Sequence, residues 1–219
     1  MSKPAPKKSQ WQEYTEAIVW AVALTLFLRA FVIQAFRIPS ESMCDTLLVG
    51  DFLFVNKFEY GPKIPFTHIR LPGLRGPRTG DIIVFQFPGN PSLDYIKRCI
   101  ATGGQTVEVR NKVVYVDGTP SAAADRHAYH VDPGISCGGM VGPYPEDAGL
   151  QTCRDNFGPF RVPPGRLFMM GDNRENSNDS RFWGTVPMDY VKGRALFIYW
   201  SWDGAHFMPR WGRLLRILH

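Results

Sequence analysis

Asp51-Phe52-Leu53-Phe54-Val55-Asn56-Lys57-Phe58 is a short run, dense in aromatic and branched apolar side chains, that follows Gly50. Its repeat is two residues, the period of a β-strand. The same composition returns at Asp81–Phe87, Tyr95–Ala101, Thr106–Val109, Val113–Val116, Arg166–Met170 and Gly193–Trp200, each bounded by Gly, Pro or Asp. Gly103-Gly104 and Asp117-Gly118 are turn dipeptides, and Gly61 to Gly80 is an excursion rich in Pro, Gly and Arg. The fold expected is a mostly β domain. Thr119 to Pro164 is the longest stretch with no convincing strand, an insertion at about 119–164 of a length that is uncommon unless functional or cross-linked.

Upstream the pattern changes. Ala17 to Phe36 is an apolar run of twenty residues, which as a helix spans about 30 Å, the thickness of a bilayer's hydrocarbon core. Arg29 and Gln34 interrupt it, and Arg29 lies near enough to one end to snorkel to the interface. The alternative is an amphipathic helix buried in the core. No small-residue cleavage site follows the run, so it reads as an uncleaved anchor and not a removable leader. Lys3, Lys7 and Lys8 precede it. The positive-inside rule then places residues 1–16 in the cytoplasm, 17–36 in the membrane and 37–219 on the far side.

The chain has 219 residues, 44% hydrophobic and 21% charged, enough for one sizeable soluble domain after the anchor is set aside. A net charge of +5 permits nucleic acid as a partner, but the basic residues are scattered and no nucleic-acid-binding motif stands out. Anionic lipid is the expected counter-charge, and Arg210, Arg213 and Arg216, spaced by three among apolar residues, either lie on it or dock on the domain. Cys137 and Cys153 flank a Gly- and Pro-rich stretch that a disulfide would staple. Cys44 and Cys99 are expected to be free. No metal or other cofactor is expected: short Cys-Cys spacings are lacking, and His127 and His130 form an isolated pair.

Three motifs carry chemistry. Ile38-Pro39-Ser40-Glu41-Ser42-Met43 sets serines just beyond the anchor, where a serine is ordinarily no more than a cap or turn residue. A hydroxyl is a weak nucleophile at neutral pH and needs a base. Leu93-Asp94-Tyr95-Ile96-Lys97-Arg98 offers a lysine in a strand-like run; turned inward, it would lose hydration and basicity and could accept a proton. Gly171-Asp172-Asn173-Arg174-Glu175-Asn176-Ser177-Asn178-Asp179-Ser180-Arg181 is polar throughout after its glycine. It is either a solvated loop or a buried network that fixes the lysine amine. None of the three motifs contains histidine, so the pair to weigh is Ser with Lys.

In this order, behind an N-terminal anchor, the three motifs resemble those of bacterial type I signal peptidase. The resemblance implies a barrel-like, mostly antiparallel β-sheet catalytic domain after one transmembrane helix, in the bacterial inner membrane. It also implies a serine endopeptidase that removes signal peptides from exported preproteins and needs no cofactor. Ser42 matches the nucleophile and Lys97 the general base. Ser40 matches a side-chain donor to the oxyanion, acting with the backbone N–H of Ser42. Ser177 matches the residue that orients the lysine, with Asp179 and Arg181 in support. Ile38, Pro39, Met43, Leu47, Tyr95 and Ile96 would line the pocket for the residue before the cut, and Phe36 and Val84 would help accept the residue two further back. The chain departs from the family in having Cys44-Asp45 where Pro usually stands two residues after Met, and in having one spanning segment where some members have two.

Two other functions fit the same residues. One is a Ser/Lys peptidase dedicated to a conjugation or organelle system. The other is a membrane-anchored β domain that binds extended peptides without cutting them. The sequence leaves the oligomeric state open.

Overall fold

The computed structural model describes residues 9–64, 67, 69–121, 138–139, 151–152 and 155–218. Its first element, α1 (Gln10–Phe31), has 22 residues, none of them buried, and among the described residues it is the one helix long and apolar enough to cross a membrane. That exposure disagrees with a buried core helix and fits an anchor. The helix starts and stops earlier than its apolar run suggests. Ser9 N–H donates to Gln12 Oε1 at 3.1 Å at the N-terminus, and Arg29 stands in the last turn, where a cation complements the helix dipole. Ile33 to Phe36, expected in the membrane, instead belong to β1 (Ile33–Arg37). Antiparallel pairing with β2 (Asp51–Asn56) draws these residues into the sheet, with Ile33 opposite Asn56 and Arg37 opposite Phe52.

The rest is built around one large antiparallel sheet. After β2 come β3 (Ile82–Phe87), β4 (Asn90–Thr102), β5 (Thr106–Arg110), β6 (Val113–Val116) and β7 (Thr119–Pro120). There follow β8 (Gly138–Gly139), β9 (Gln151–Thr152), β10 (Phe157–Arg161), β11 (Arg166–Met170), the one-turn helix α2 (Ser180–Trp183), β12 (Val186–Pro187), β13 (Val191–Asp203), β14 (Met208–Pro209) and β15 (Arg216–Ile217). The main sheet runs β1-β2-β13-β3-β4-β11-β12, with β14 and β15 on the long β13. A second sheet runs β10-β5-β6-β7, and β8 pairs with β9.

The two-residue period explains how the main sheet separates two cores. In β3, Ile82 and Val84 face one cluster with Ile38, Met43, Leu47, Leu53 and Ile198. Ile83 and Phe85 face the other, with Cys99, Met169, Trp183 and Val191. A third cluster, including Ile100, Val107, Phe157 and Phe168, ties the second sheet to β4 and β11.

Part of the expected insertion is ordered sheet. Phe157 pairs with Val109 and Phe160 with Val107, although Gly158 and Pro159 break the strand pattern. Pro is tolerated there because β10 is an edge strand. The C-terminal segment docks on its own domain. Arg213 reaches the buried Asp51 at 2.6 Å, Leu218 N–H donates to Leu196 O at 2.8 Å, and Leu218 is buried. Cys137 and Cys153 lie outside the described residues. Cys44 and Cys99 are free thiols.

Candidate active site

The segment between β1 and β2 folds back over the sheet, and a single 3-10 turn, Glu41–Met43, presents Ser42. Apolar packing sets its position: Ile38, Met43 and Leu47 are fully buried under it. Asn173 holds it from the other side, its backbone N–H donating to Ser42 O at 3.1 Å and its Nδ2 to Glu41 O at 3.2 Å.

Lys97 comes from the middle of β4, opposite Ile83. It is 3% exposed, and its Nζ donates to Ser42 Oγ. Burial pulls the ammonium down from the ordinary lysine value of 10.5 to about 8; Asp179 and Asp172 oppose this drop and Arg181 adds to it. A lysine so placed is partly neutral near physiological pH. Ser40 Oγ lies 3.4 Å from Ser42 Oγ, on the exposed side of the pair.

Behind the lysine, the 171–181 segment is mostly buried and not a solvated loop: Ser177, Asp179 and Arg181 are each at most 2% exposed, while Asn176 and Asn178 are exposed. Arg181 Nε and Nη2 donate to Asp179 at 2.9 and 3.0 Å, and Gly171 N–H adds a bond at 3.1 Å. Burial alone would raise the Asp179 carboxyl; the Arg181 guanidinium, the Gly171 N–H and the Ser177 hydroxyl outweigh it and hold the group below the usual carboxylate range. Ser177 Oγ is buried and, among the described residues, makes no hydrogen bond to Lys97 or to another group within ordinary limits.

Three supports of the site carry no signal of their role in the sequence: Arg98 with Asp172, Gly171, and Glu175. Arg98 forms a fully buried bidentate pair with Asp172, at 2.8 and 2.7 Å, and Thr46 Oγ1 donates to Asp172 Oδ2 at 2.6 Å. This pair joins β4 to the polar segment one residue away from Lys97. A methyl group on Gly171 would overlap both Ser177 Oγ and Ser42 O. Glu175, nearly buried, accepts from Lys112 Nζ at 2.6 Å. Asn111 and Lys112 form the β5–β6 turn with φ of 48° and 72°, the geometry of a two-residue hairpin turn, so the second sheet reaches across to the polar segment.

A cleft of about 490 Å³ opens over the serine, lined by Pro39, Ser40, Ser42, Tyr95, Ile96 and Lys97, and also by Glu41, Asp94, Asn176 and Asn178. Beside it is a shallow depression of about 20 Å³ between Phe36, Ile38, Val84 and Ile96. Met43 and Leu47, expected in the pocket wall, are fully buried in the core cluster and line neither hollow. Asp45 is exposed with φ of 81°, which a proline, fixed near −65°, cannot adopt; the turn therefore differs locally from one carrying Pro. The carboxylates that act on Lys97 are Asp179 and Asp172, and not Asp45.

Residues 11–200 match the family model described as signal peptidase, peptidase S26. That match, with the relatives below, defines a serine endopeptidase. The chain belongs to the signal peptidase family, peptidase S26, whose members remove signal peptides, and it does the same. It is 36% identical to signal peptidase I of Pseudomonas aeruginosa, over 92% of this chain and 78% of that one. It is 37% identical to signal peptidase I of Aquifex aeolicus, over 82% and 80%, and 37% identical to the probable signal peptidase I-1 of Synechocystis, over 96% and 91%. A crystal structure of a signal peptidase I from Enterococcus faecalis V583 aligns at 30% identity and a TM-score of 0.38, over 55% of this chain and 97% of that one.

Proposed function

We propose that Ser42 is the nucleophile and Lys97 the general base of this peptidase. The observation that carries the reading is the buried Lys97 ammonium, its basicity lowered to about 8, in hydrogen-bond contact with Ser42 Oγ. Neutral Lys97 takes the Ser42 proton as Oγ attacks the carbonyl carbon of the scissile bond. The developing oxyanion accepts from Ser40 Oγ and the Ser42 backbone N–H. Lys97 then gives its proton to the leaving amine, and in the second half it activates a water that releases the acyl group from Ser42. Ser177, Asp179 and Arg181 hold the amine in line.

The substrates are exported preproteins with N-terminal signal peptides. The peptide lies extended beside Asp94–Lys97, so that alternate side chains meet the same face. The residue before the cut meets Pro39, Tyr95 and Ile96, and the one two further back enters the depression at Phe36, Ile38 and Val84. Met43 and Leu47 shape these hollows from beneath. The shallowness of the depression supports a preference for small residues. The anchor is α1, with the N-terminal lysines cytoplasmic and the β domain outside the inner membrane of a bacterium. A disulfide between Cys137 and Cys153, which lie outside the described residues, is proposed from the sequence alone, where the two flank a Gly- and Pro-rich stretch.

One assay tests the chemistry: a preprotein is incubated with the detergent-solubilised chain, and the new N-terminus is sequenced. Ser42→Ala and Lys97→Ala should each lower cleavage by about a thousandfold or more, and the double variant by no more than either alone, because the two act as one unit. Near-normal turnover by either single variant would remove the dyad. A preprotein with Leu in place of Ala before the cut should be processed far more slowly. Peptide binding without any cleavage by the unaltered chain would instead leave a binding domain. Protease added to spheroplasts should digest the chain beyond Arg37 and spare its N-terminal tail; the reverse pattern would invert the anchor. Non-reducing mass spectrometry should link Cys137 to Cys153.

A further inference from the structure

A second cavity, of about 280 Å³, lies where α1 meets the β domain. Ala30, on the last turn of the helix, forms one wall, and Gln34 of β1 lies beside it. Three lysines from separate parts of the chain line it: Lys57 just past β2, Lys63 in the long excursion, and Lys192 in β13. Lys57 Nζ donates to Arg29 O at 3.2 Å, at the end of the helix.

The charges there are not balanced. Asp189 lines the cavity and offsets Lys63, and Lys192 pairs with Asp94 at 2.7 Å. Among the described residues, Lys57 pairs with no carboxylate. Burial, then Lys192, then Arg29 each press its ammonium toward the neutral form. An anion in the cavity would relieve that repulsion. The position selects which anion: the end of a bilayer-length helix lies at headgroup depth, where lipid phosphates are concentrated. Lysine ammonium groups bind phosphate as point charges with rotatable donors.

We propose that the cavity between α1 and the β domain, bounded by Lys57, Lys63 and Lys192, binds a phosphate group, carried either by an anionic phospholipid headgroup or by free inorganic phosphate. Lys192 also pairs with Asp94, which lines the cleft over Ser42, so the phosphate site and the cleft share one ammonium group.

The full chain in nonionic detergent micelles, titrated in separate arms with dioleoylphosphatidylglycerol, dioleoylphosphatidylcholine and inorganic phosphate and read by native mass spectrometry, tests this. The anionic lipid should be retained more strongly than the zwitterionic one. Lys57→Gln/Lys63→Gln should weaken its retention by about tenfold. Arg110→Gln/Arg161→Gln, which removes the same charge from the second sheet, should leave retention unchanged. Retention of inorganic phosphate alone, lost in the lysine variant, assigns the site to phosphate from solution. Equal losses in the two double variants, or no retention of any probe, would overturn the proposal. Unchanged preprotein cleavage in detergent shows that the lysine variant is folded; if it is not, Lys63→Gln alone, away from the helix contact, should show a smaller loss in the same direction. Micelles do not require α1 to cross a bilayer, and vesicle flotation tests that anchoring separately.

Discussion

In the proposed dyad, Lys97 has to lose its proton before it can accept one from Ser42, and that requirement would set the pH dependence of cleavage. With the ammonium pulled down by burial to about 8, the neutral fraction is small at pH 6 and nearly complete above pH 9. Preprotein cleavage under kcat/KM conditions should therefore rise with pH, by about tenfold per unit on the acidic side, and level off beyond about 8. An acidic limb centred near pH 6 would point to a histidine in place of the lysine. The contact between Ser42 and Lys97 was legible in the sequence as a pairing to weigh, because a serine beyond an anchor needs a base and an inward lysine can be one; the catalytic roles are the proposal. Arg98 and Asp172 were not: a lysine-adjacent arginine and a loop aspartate are ordinary surface residues until folding puts them at 2.7 Å in a dry interior. Replacing Asp172 by Asn leaves the Arg98 charge buried and unmatched, a loss on the order of 3 kcal/mol. A drop in Tm with cleavage also lowered is the expected result, and an unchanged Tm would deny the pair a structural role.

The 171–181 segment works as an element because most of its polar groups are packed inward, with Asn173 bonded to the turn that carries Ser42. Gly171 marks its closest approach. Gly171→Ala would force apart Ser177 and the Ser42 carbonyl, so cleavage should fall by about a hundredfold or more, with a loss of about 1–3 kcal/mol in stability from overpacking. A variant that cleaves normally would show that the segment can retreat without disturbing the serine. The strands around the site were mostly readable, since β2, β3, β5, β6 and β11 are short runs rich in apolar side chains between turn residues. The misreadings have local causes. β1 is apolar enough to pass as the end of the anchor, and only its pairing with β2 separates Ile33–Phe36 from the helix. β10 hides behind Gly158 and Pro159, which an edge strand tolerates and a sequence pattern does not. Met43 and Leu47 flank the serine in sequence, yet the tight 3-10 turn sends them into the core, a change of direction that sequence proximity cannot show.

At the scale of the whole molecule, the anchor and the chemistry are neighbours along the chain. From Phe31, the last residue of α1, to Ser42 there are eleven peptide bonds, which at full extension reach about 40 Å. Part of that reach is taken up by β1, which is fixed to the sheet. With α1 in a bilayer, Ser42 is therefore confined to a thin layer above the lipid, the same layer through which a membrane-inserted preprotein brings its cleavage site. The relevant concentration for both molecules is then a number per unit area and no longer a number per litre. In proteoliposomes holding enzyme and preprotein together, fusing in empty lipid should slow cleavage in proportion to the added surface, while enlarging the surrounding aqueous volume should leave it unchanged. A rate that followed volume instead would mean that the substrate reaches the serine from water. Surface density is thus the quantity through which a cell could raise or lower the throughput of this enzyme without altering any residue of its site.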